Sequence, residues 1–496
     1  MDVPGISTRE HAAEKPVSRR LLSFHIALGA ALFALVFVYC ERSVADPDLW
    51  WHLRNAQYLL STHHLPRVDM YSFTLAGSPW IDHEWLSEIP YYLAYRAFGM
   101  RGVFALELVV VESIVFAILF FSYRYGGSIM ASWVATCLGV MLAAVNIGPR
   151  TILFGWMSLL VLLAILWRYQ TTGKGPLWAI PLLFCVWVNT HGSWLVGLIV
   201  FVVIIAAGAF QGSYGKLEVI PWPREKLRKL IVTLAASIAA LFLNPYTYRL
   251  VFYPFDLAFR QKLNIARVEE WASVDFHEPR GKLVLVFLFA LLISAVAARV
   301  RWTLPELILT LFALYTSLTY VRFLFLAAIL VVPILARRLS FLPPYPREID
   351  TPIVNACVVA VLVGIMAWQL PSATALEKEI ARQYPLRSIA YLRTHSQGAR
   401  VFNHFGWGGY LIWNAPEIPT FIDGRTDIFD HKGVLKDYLD VTDMKNSLDI
   451  LDRYQVRYVL FTPKEALAYL LEHTERWKVA YRDDVSIVFE RTPDHR

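Results

Sequence analysis

Eleven apolar runs, separated by short polar loops, govern what this 496-residue chain can become. They cover 21–40, 102–122, 129–146, 152–168, 177–190, 194–210, 230–244, 282–298, 303–319, 321–336 and 352–370. A bilayer's hydrocarbon core takes about 17–25 helical residues to cross, and inside it every backbone N–H and C=O must be bonded within its own segment. Runs of this length and spacing predict a polytopic α-helical membrane protein with about eleven transmembrane helices. The composition agrees: 56% of residues are apolar and only 18% are charged, against about 25% charged in soluble globular chains.

The Lys and Arg positions predict the orientation. With the N-terminus cytoplasmic, the inside segments hold Arg19, Arg20, Arg124, Arg168, Lys174, Arg224, Lys226, Arg228, Lys229, Arg299, Arg301, Arg337, Arg338 and Arg347. The outside loops at 146–151, 190–193 and 319–322 are nearly free of them, as the positive-inside rule requires. The net charge of +7 thus reflects topology and predicts no nucleic-acid partner. The first run lacks a small-residue cleavage site and reads as a retained helix. Cys40, Cys137, Cys185 and Cys357 all fall in apolar runs, without metal-ligand spacing, and read as small apolar residues.

The organisation follows: a cytoplasmic tail (1–20), a transmembrane domain (21–370) with its first external loop at 41–101, and an extracytoplasmic domain (371–496). That last region alternates helical patterns ("YPLRSIAYLRTH", "GVLKDYLDV", "SLDILDRYQ") with strand-like runs ("ARVFN", "PTFIDG", "VRYVLFT", "WKVAYRD", "VSIVFER"). It reads as a small α/β domain.

The outside loops carry the chemistry. "SVADPDLWWHLRNAQYLL" sets Asp46 and Asp48 before an amphipathic segment whose Trp50, Trp51 and Tyr58 suit the headgroup zone. Capping explains one aspartate there, but not the further acids Asp69, Asp82, Glu84 and Glu88. Such a cluster suits a general base or a hard divalent cation such as Mg2+ or Mn2+. "HEWLS" lacks the second histidine of HExxH, so a zinc-protease reading fails. Arg322 opens an otherwise apolar run, where an ionisable group is costly and either snorkels to the interface or marks a site, and its fork suits a phosphate. Asn189 and His191 end another run, where interhelical bonding and ligand contact explain them equally. Glu270, in "EEWASVDFHEP", reads first as part of an acidic solvated loop and otherwise as a distant carboxylate for the first cluster. "FGWGGYLIW" and "PTFIDGRTD" are the densest motifs of the last region; there Asp423, Arg425 and Asp427 form either a local ion network or a functional strand.

Three of these landmarks, in this order and on this face, resemble the GT-C superfamily of membrane glycosyltransferases, oligosaccharyltransferase catalytic subunits above all. Asp48, Arg54, Tyr58 and Leu59 keep the spacing of that family's first external loop, and Val321-Arg322 followed by Pro333 is similar to its late Val-Arg. "GWGGYLIW" and "PTFIDGRTD" are similar to the opening turn and strand of its soluble domain. Trp407 stands where that family has an acceptor-reading aspartate, and "NIGPR" has no carboxylate for its metal site.

The resemblance implies a GT-C-like fold in a bacterial plasma membrane and sugar transfer from a polyprenyl-phosphate or -pyrophosphate donor on the extracytoplasmic side. Asp48 would be the base or, with Glu270, a metal ligand, supported by Asp46 and Glu84. Arg322, with Arg54 and His191, would meet the donor phosphate. Trp407, Tyr410, Asp423 and Arg425 would present the acceptor, whose identity the sequence leaves open. The alternative is a non-catalytic scaffold, or a binder of lipid-linked glycans, in envelope assembly. Asp48 and Arg322 lining one cavity is what separates the two.

Overall fold

The computed structural model describes residues 23–41, 46–126, 128–343, 345 and 350–492. The predicted tail at 1–20 and Arg347 lie outside them. Each of the eleven apolar runs is largely helical, those at 129–146 and 321–336 each adding a short 3-10 turn to the α-helix. Among the described residues, six helical segments are long and apolar enough to cross a membrane: Phe24–Glu41, Met100–Gly126, Ile152–Thr172, Pro279–Ala297, Val321–Phe341 and Pro352–Gln369. Ile129–Ala143, Ala179–Thr190, Trp194–Ala207 and Leu304–Thr319 are apolar but shorter. The protein is thus a multi-pass membrane protein, with crossing by length carried by six segments. Among the described residues the four cysteines form no disulfide.

Helix Leu324–Arg338 runs through the centre of the bundle, with every residue from Leu324 to Val332 buried. It packs on Met100–Gly126 and Ile129–Ala143. A helix apolar on all faces belongs where apolar neighbours surround it. By contrast, Pro352–Gln369 has only Asn355 buried and packs on Phe24–Glu41 at the periphery. Helix Leu304–Thr319 starts in a capping box: the Thr303 hydroxyl accepts from the Glu306 N–H while Glu306 returns to the Thr303 N–H. That reciprocal pair satisfies two free donors of the first turn. A small sheet the sequence did not announce joins β1 (Gly212–Tyr214), β2 (Leu217–Val219) and β3 (Trp302–Thr303).

The C-terminal region is α/β, as its alternating pattern predicts. β4 (Val401–Asn403) runs parallel to β5 (Tyr458–Phe461), then β7 (Ile487–Arg491) and β6 (Trp477–Arg482) continue antiparallel in the order β4-β5-β7-β6. The expected helices form at Leu386–His395, Val434–Thr442 and Ser447–Arg453. "PTFIDG" is the exception and joins no ladder of this sheet. Asn403 takes up its backbone instead, accepting from the Phe421 N–H at 2.7 Å and donating to the Ile422 carbonyl at 2.8 Å. On its other side Thr420 bridges Ser72 of the first external loop, with backbone bonds Phe73 N to Thr420 O and Thr420 N to Tyr71 O, both 3.0 Å. The run is therefore a seam between the loop and the C-terminal region.

Candidate active site

Helix Leu49–Thr62 brings the acids to that seam. Asp46 closes the turn before it, its Oδ1 accepting the Asp48 N–H at 2.9 Å. Asp48 stands at the helix N-cap, yet its carboxylate bonds no backbone N–H of the helix. It accepts the indole N–H of Trp51 at 3.0 Å. The capping explanation thus fits Asp46 and leaves Asp48 for other work. Burial, with the Asp46 carboxylate next to it, pushes the Asp48 carboxyl well above the usual carboxylate range, while Trp51 pulls it back.

The C-terminal region moulds itself over these residues. A Cβ at Gly424 would lie 1.7 Å from Asp48 Oδ1, and one at Gly409 would lie 2.4 Å from the Pro47 carbonyl. Only glycine permits backbone to approach that closely. Beside this contact, Arg425 is buried and bonds Asp423 Oδ1 and Oδ2 and Asp69 Oδ1, each at 2.7 Å. Its guanidinium also lies 4.9 Å from the ring centroids of both Tyr71 and Trp80. Trp80 in turn meets Trp51 edge-on at 6.0 Å. The Asp423-Gly424-Arg425 turn therefore fixes the surroundings of Asp48 through Trp80 and Trp51.

A second cluster surrounds Glu84. Its carboxylate meets Nε2 of His83 and His191 at 3.2 Å, Nε2 of His52 at 3.4 Å and the Thr151 hydroxyl at 2.8 Å. Burial would raise its pKa, but the imidazoles, His83 foremost, outweigh that and hold it below the usual range. Burial would lower His83, but the charge and hydrogen bond of Glu84, joined by the charges of Asp427 and Asp82, together outweigh it and raise its pKa. Burial lowers His52 to about 4, so at neutral pH it is an uncharged donor or acceptor. His191 Nδ1 accepts the Ser193 N–H at 2.9 Å, which leaves its Nε2 to donate to Glu84. The histidines come from positions 52, 83 and 191, and Glu84 meets all three, while His52 also meets Glu88 through Nδ1 at 2.8 Å.

Arg322 opens helix Leu324–Arg338 from the opposite wall. It lies over Trp271, 4.3 Å from the ring centroid, and makes no ion pair among the described residues. Asn146 holds its backbone, donating to the carbonyls of Val321 and Arg322 at 3.1 Å. Asp46, Asp48, Glu84, His191, Glu270 and Arg322 all line one cavity of about 1060 Å³, which the C-terminal residues Gly424, Arg425 and Asp427 also face.

Several expected residues stand elsewhere. Arg54 does not reach the cavity. Six residues beyond Asp48, it sits roughly 120° round a helix of 3.6 residues per turn, and it donates to Gln57 at 2.7 Å. Trp407 is buried with its N–H on the Gln383 carbonyl at 3.0 Å. Tyr410 is buried against Trp50 and Tyr384. Neither lines the cavity: Trp407 packs inside the C-terminal region, and Tyr410 packs that region on the helix beneath it. For the same reason Trp50 and Trp51 are 2% and 5% exposed and do not rest in a headgroup zone. Asp423 is fully buried in the Arg425 network.

Arg150 was missed. It bonds Asp46 through Nε at 2.7 Å and Glu270 through Nη1. The signal was in the sequence: it is the one arginine in an outside loop otherwise free of Lys and Arg. Among the described residues no group of three or more His, Cys, Asp or Glu side chains is set to hold a metal ion. The expected ligands Asp48 and Glu270 do not fit one, because a guanidinium already stands against Glu270 and Trp51 occupies Asp48.

No protein-family model matches this chain, and neither does any curated protein. Among solved structures, ArnT from Cupriavidus metallidurans in the apo state is similar with a TM-score of 0.51 at 15% identity, over 94% of this chain and 97% of that one. This chain shares that structure's fold. ArnT bound to undecaprenyl phosphate gives a TM-score of 0.48 at 12% identity, over 95% of this chain and 98% of that one. Identity this low carries the architecture and leaves the chemistry to the residues.

Proposed function

We propose that this chain is an integral-membrane glycosyltransferase that moves a sugar from a polyprenyl-phosphate or -pyrophosphate donor to an acceptor outside the cytoplasm. The observation that carries this reading is that Asp48 and Arg322, 274 positions apart in sequence, face the same cavity. A base and an uncommitted guanidinium across one cavity are what displacement at a sugar–phosphate bond needs. In the reaction, Asp48 takes the proton of an acceptor hydroxyl or amide, whose lone pair attacks the anomeric carbon. The bond from that carbon to the phosphate oxygen breaks, and the phosphate leaves with its charge against Arg322. A single displacement of this kind inverts the anomeric centre. Glu84 and its imidazoles set the charge of the wall between the two, and His191 adds an N–H at the cavity surface. The proposed setting is a bacterial plasma membrane, N-terminus cytoplasmic and C-terminal region outside.

Full-length protein in nanodiscs, given a polyprenyl-phosphate-linked sugar and extracted envelope material, tests this by release of free polyprenyl phosphate. Arg322→Ala is expected to weaken the apparent donor affinity about 10- to 100-fold, the value of charged hydrogen bonds worth about 1.5–3 kcal/mol. Arg322→Lys should restore only part, lacking the planar fork. A protein that merely holds lipid-linked glycans would release nothing with any variant, and the enzymatic reading would then be abandoned. Gly424→Ala gives a second check. Its methyl must displace Asp48, and a misplacement of about 1 Å costs roughly 100-fold in rate. Unchanged turnover would separate Asp48 from the chemistry.

A further inference from the structure

Two carboxylates of this cavity, Asp46 and Glu270, are arranged around a positive charge, and that charge belongs to the protein. Asp46 uses both oxygens: Oδ1 on the Asp48 N–H and Oδ2 on Arg150 Nε at 2.7 Å. Glu270, 120 residues further along the chain than Arg150, takes the other side of the same guanidinium. Arg150 is itself held in place. Its carbonyl accepts the Tyr91 hydroxyl at 3.1 Å, and its neighbour Thr151 donates to Glu84 at 2.8 Å. The side chain is 29% exposed and lines the cavity together with Asp48 and Arg322. A hard divalent cation bridging these acids would need the lone pairs that Arg150 already holds, and would have to sit beside a fixed cation.

We propose that the guanidinium of Arg150 takes the place of a divalent cation in this site, so that sugar transfer here proceeds without metal. Arg150 is a positioning residue in this account. It ties Asp46 to Glu270 and offsets the charge next to Asp48, and it adds positive potential to the wall that the donor phosphate approaches. The proposal rests on the glycosyltransferase reading only for its activity arm. The metal arm stands on the ion pairs alone.

The test is Mn2+ titration of the full-length protein in nanodiscs, followed by electron paramagnetic resonance. Wild type is expected to bind no Mn2+ in the cavity tighter than about 1 mM, the weak end of biological divalent sites. Arg150→Ala opens the space between Asp46, Asp48 and Glu270 and is expected to bind one Mn2+ per chain, lost again when Asp46→Asn is added. Transfer by wild type should persist in EDTA. Transfer by Arg150→Ala should fall and be rescued by added guanidinium, which a merely structural loss would not allow. Mn2+ bound by wild type and released by Asp46→Asn or Asp48→Asn would overturn the proposal. So would a folded Arg150→Ala protein that takes up no Mn2+, or wild-type transfer that stops in EDTA and returns with Mn2+. Should Arg150→Ala fail to fold, the two wild-type arms decide. Should no transfer be seen with any variant, the glycosyltransferase reading fails while the Mn2+ titrations still judge this one.

Discussion

Asp48→Asn is expected to lower turnover by about 10²- to 10⁴-fold, the usual contribution of a general base, in a protein that folds as well as wild type. Asparagine has the same shape and still offers Trp51 an acceptor where the carboxylate accepts at 3.0 Å, so packing is kept and only the base is lost. Stability should change in the opposite sense to activity. Burial raises the Asp48 pKa above its unfolded value, so its contribution to stability is complete at low pH and is lost as pH rises through the folded pKa. Asp48→Asn removes that loss and should melt no lower than wild type at neutral pH. The wild-type rate should fall on acidification through a pKa above the ordinary aspartate value of about 3.9, since the base form exists only above it. Rates and melting curves between pH 4 and 9 measure both. Retained transfer in the asparagine variant would mean that another carboxylate acts.

Arg425→Ala is expected to be the most destabilising single change in the C-terminal region. It leaves Asp69 and Asp423, 2% and 0% exposed, buried without their shared cation. Breaking one partner out of a buried ion pair costs about 3–5 kcal/mol. The loss also frees the seam between external loop and C-terminal region, because Asp69 and Asp423 lie on its two sides. Protease sensitivity within 371–492 should therefore rise together with a lowered melting temperature. Arg425→Lys should recover part of the loss, since it keeps the charge but cannot bond both carboxylates with one planar group. An Arg425→Ala protein as stable and protease-resistant as wild type would show that this network contributes specificity without strength.

The helices were legible because apolar run length is a local property. Each run became largely helical, and the β-branched and aromatic runs of the C-terminal region became strands where they could pair. "PTFIDG" did not pair, because Asn403 and the first external loop satisfy its backbone first. Arg322 was legible for a similar reason: a charge in an apolar run is conspicuous wherever the run ends up. Arg54 was misplaced by trusting spacing alone, since the same spacing on a real helix turns it away from Asp48. Trp407 is packing inside the C-terminal region, on the Gln383 carbonyl, while Tyr410 and the paired tryptophans are packing between that region and helix Leu49–Thr62.

By itself, then, the sequence determined a multi-pass helical membrane protein with an α/β C-terminal region, and it marked Asp48 and Arg322 as costly residues in need of a reason. Periodicity, hydropathy and the expense of a charge near lipid act over a few residues, so one dimension is enough to see them. Only the tertiary structure decided which charges meet. Arg150 lies 104 residues from Asp46, Asp69 lies 356 from Arg425, and Gly424 reaches Asp48 from the far end of the chain. Coulomb energy depends on distance in space, and a missing Cβ matters only where another backbone presses against it, so neither can be seen until the chain is folded.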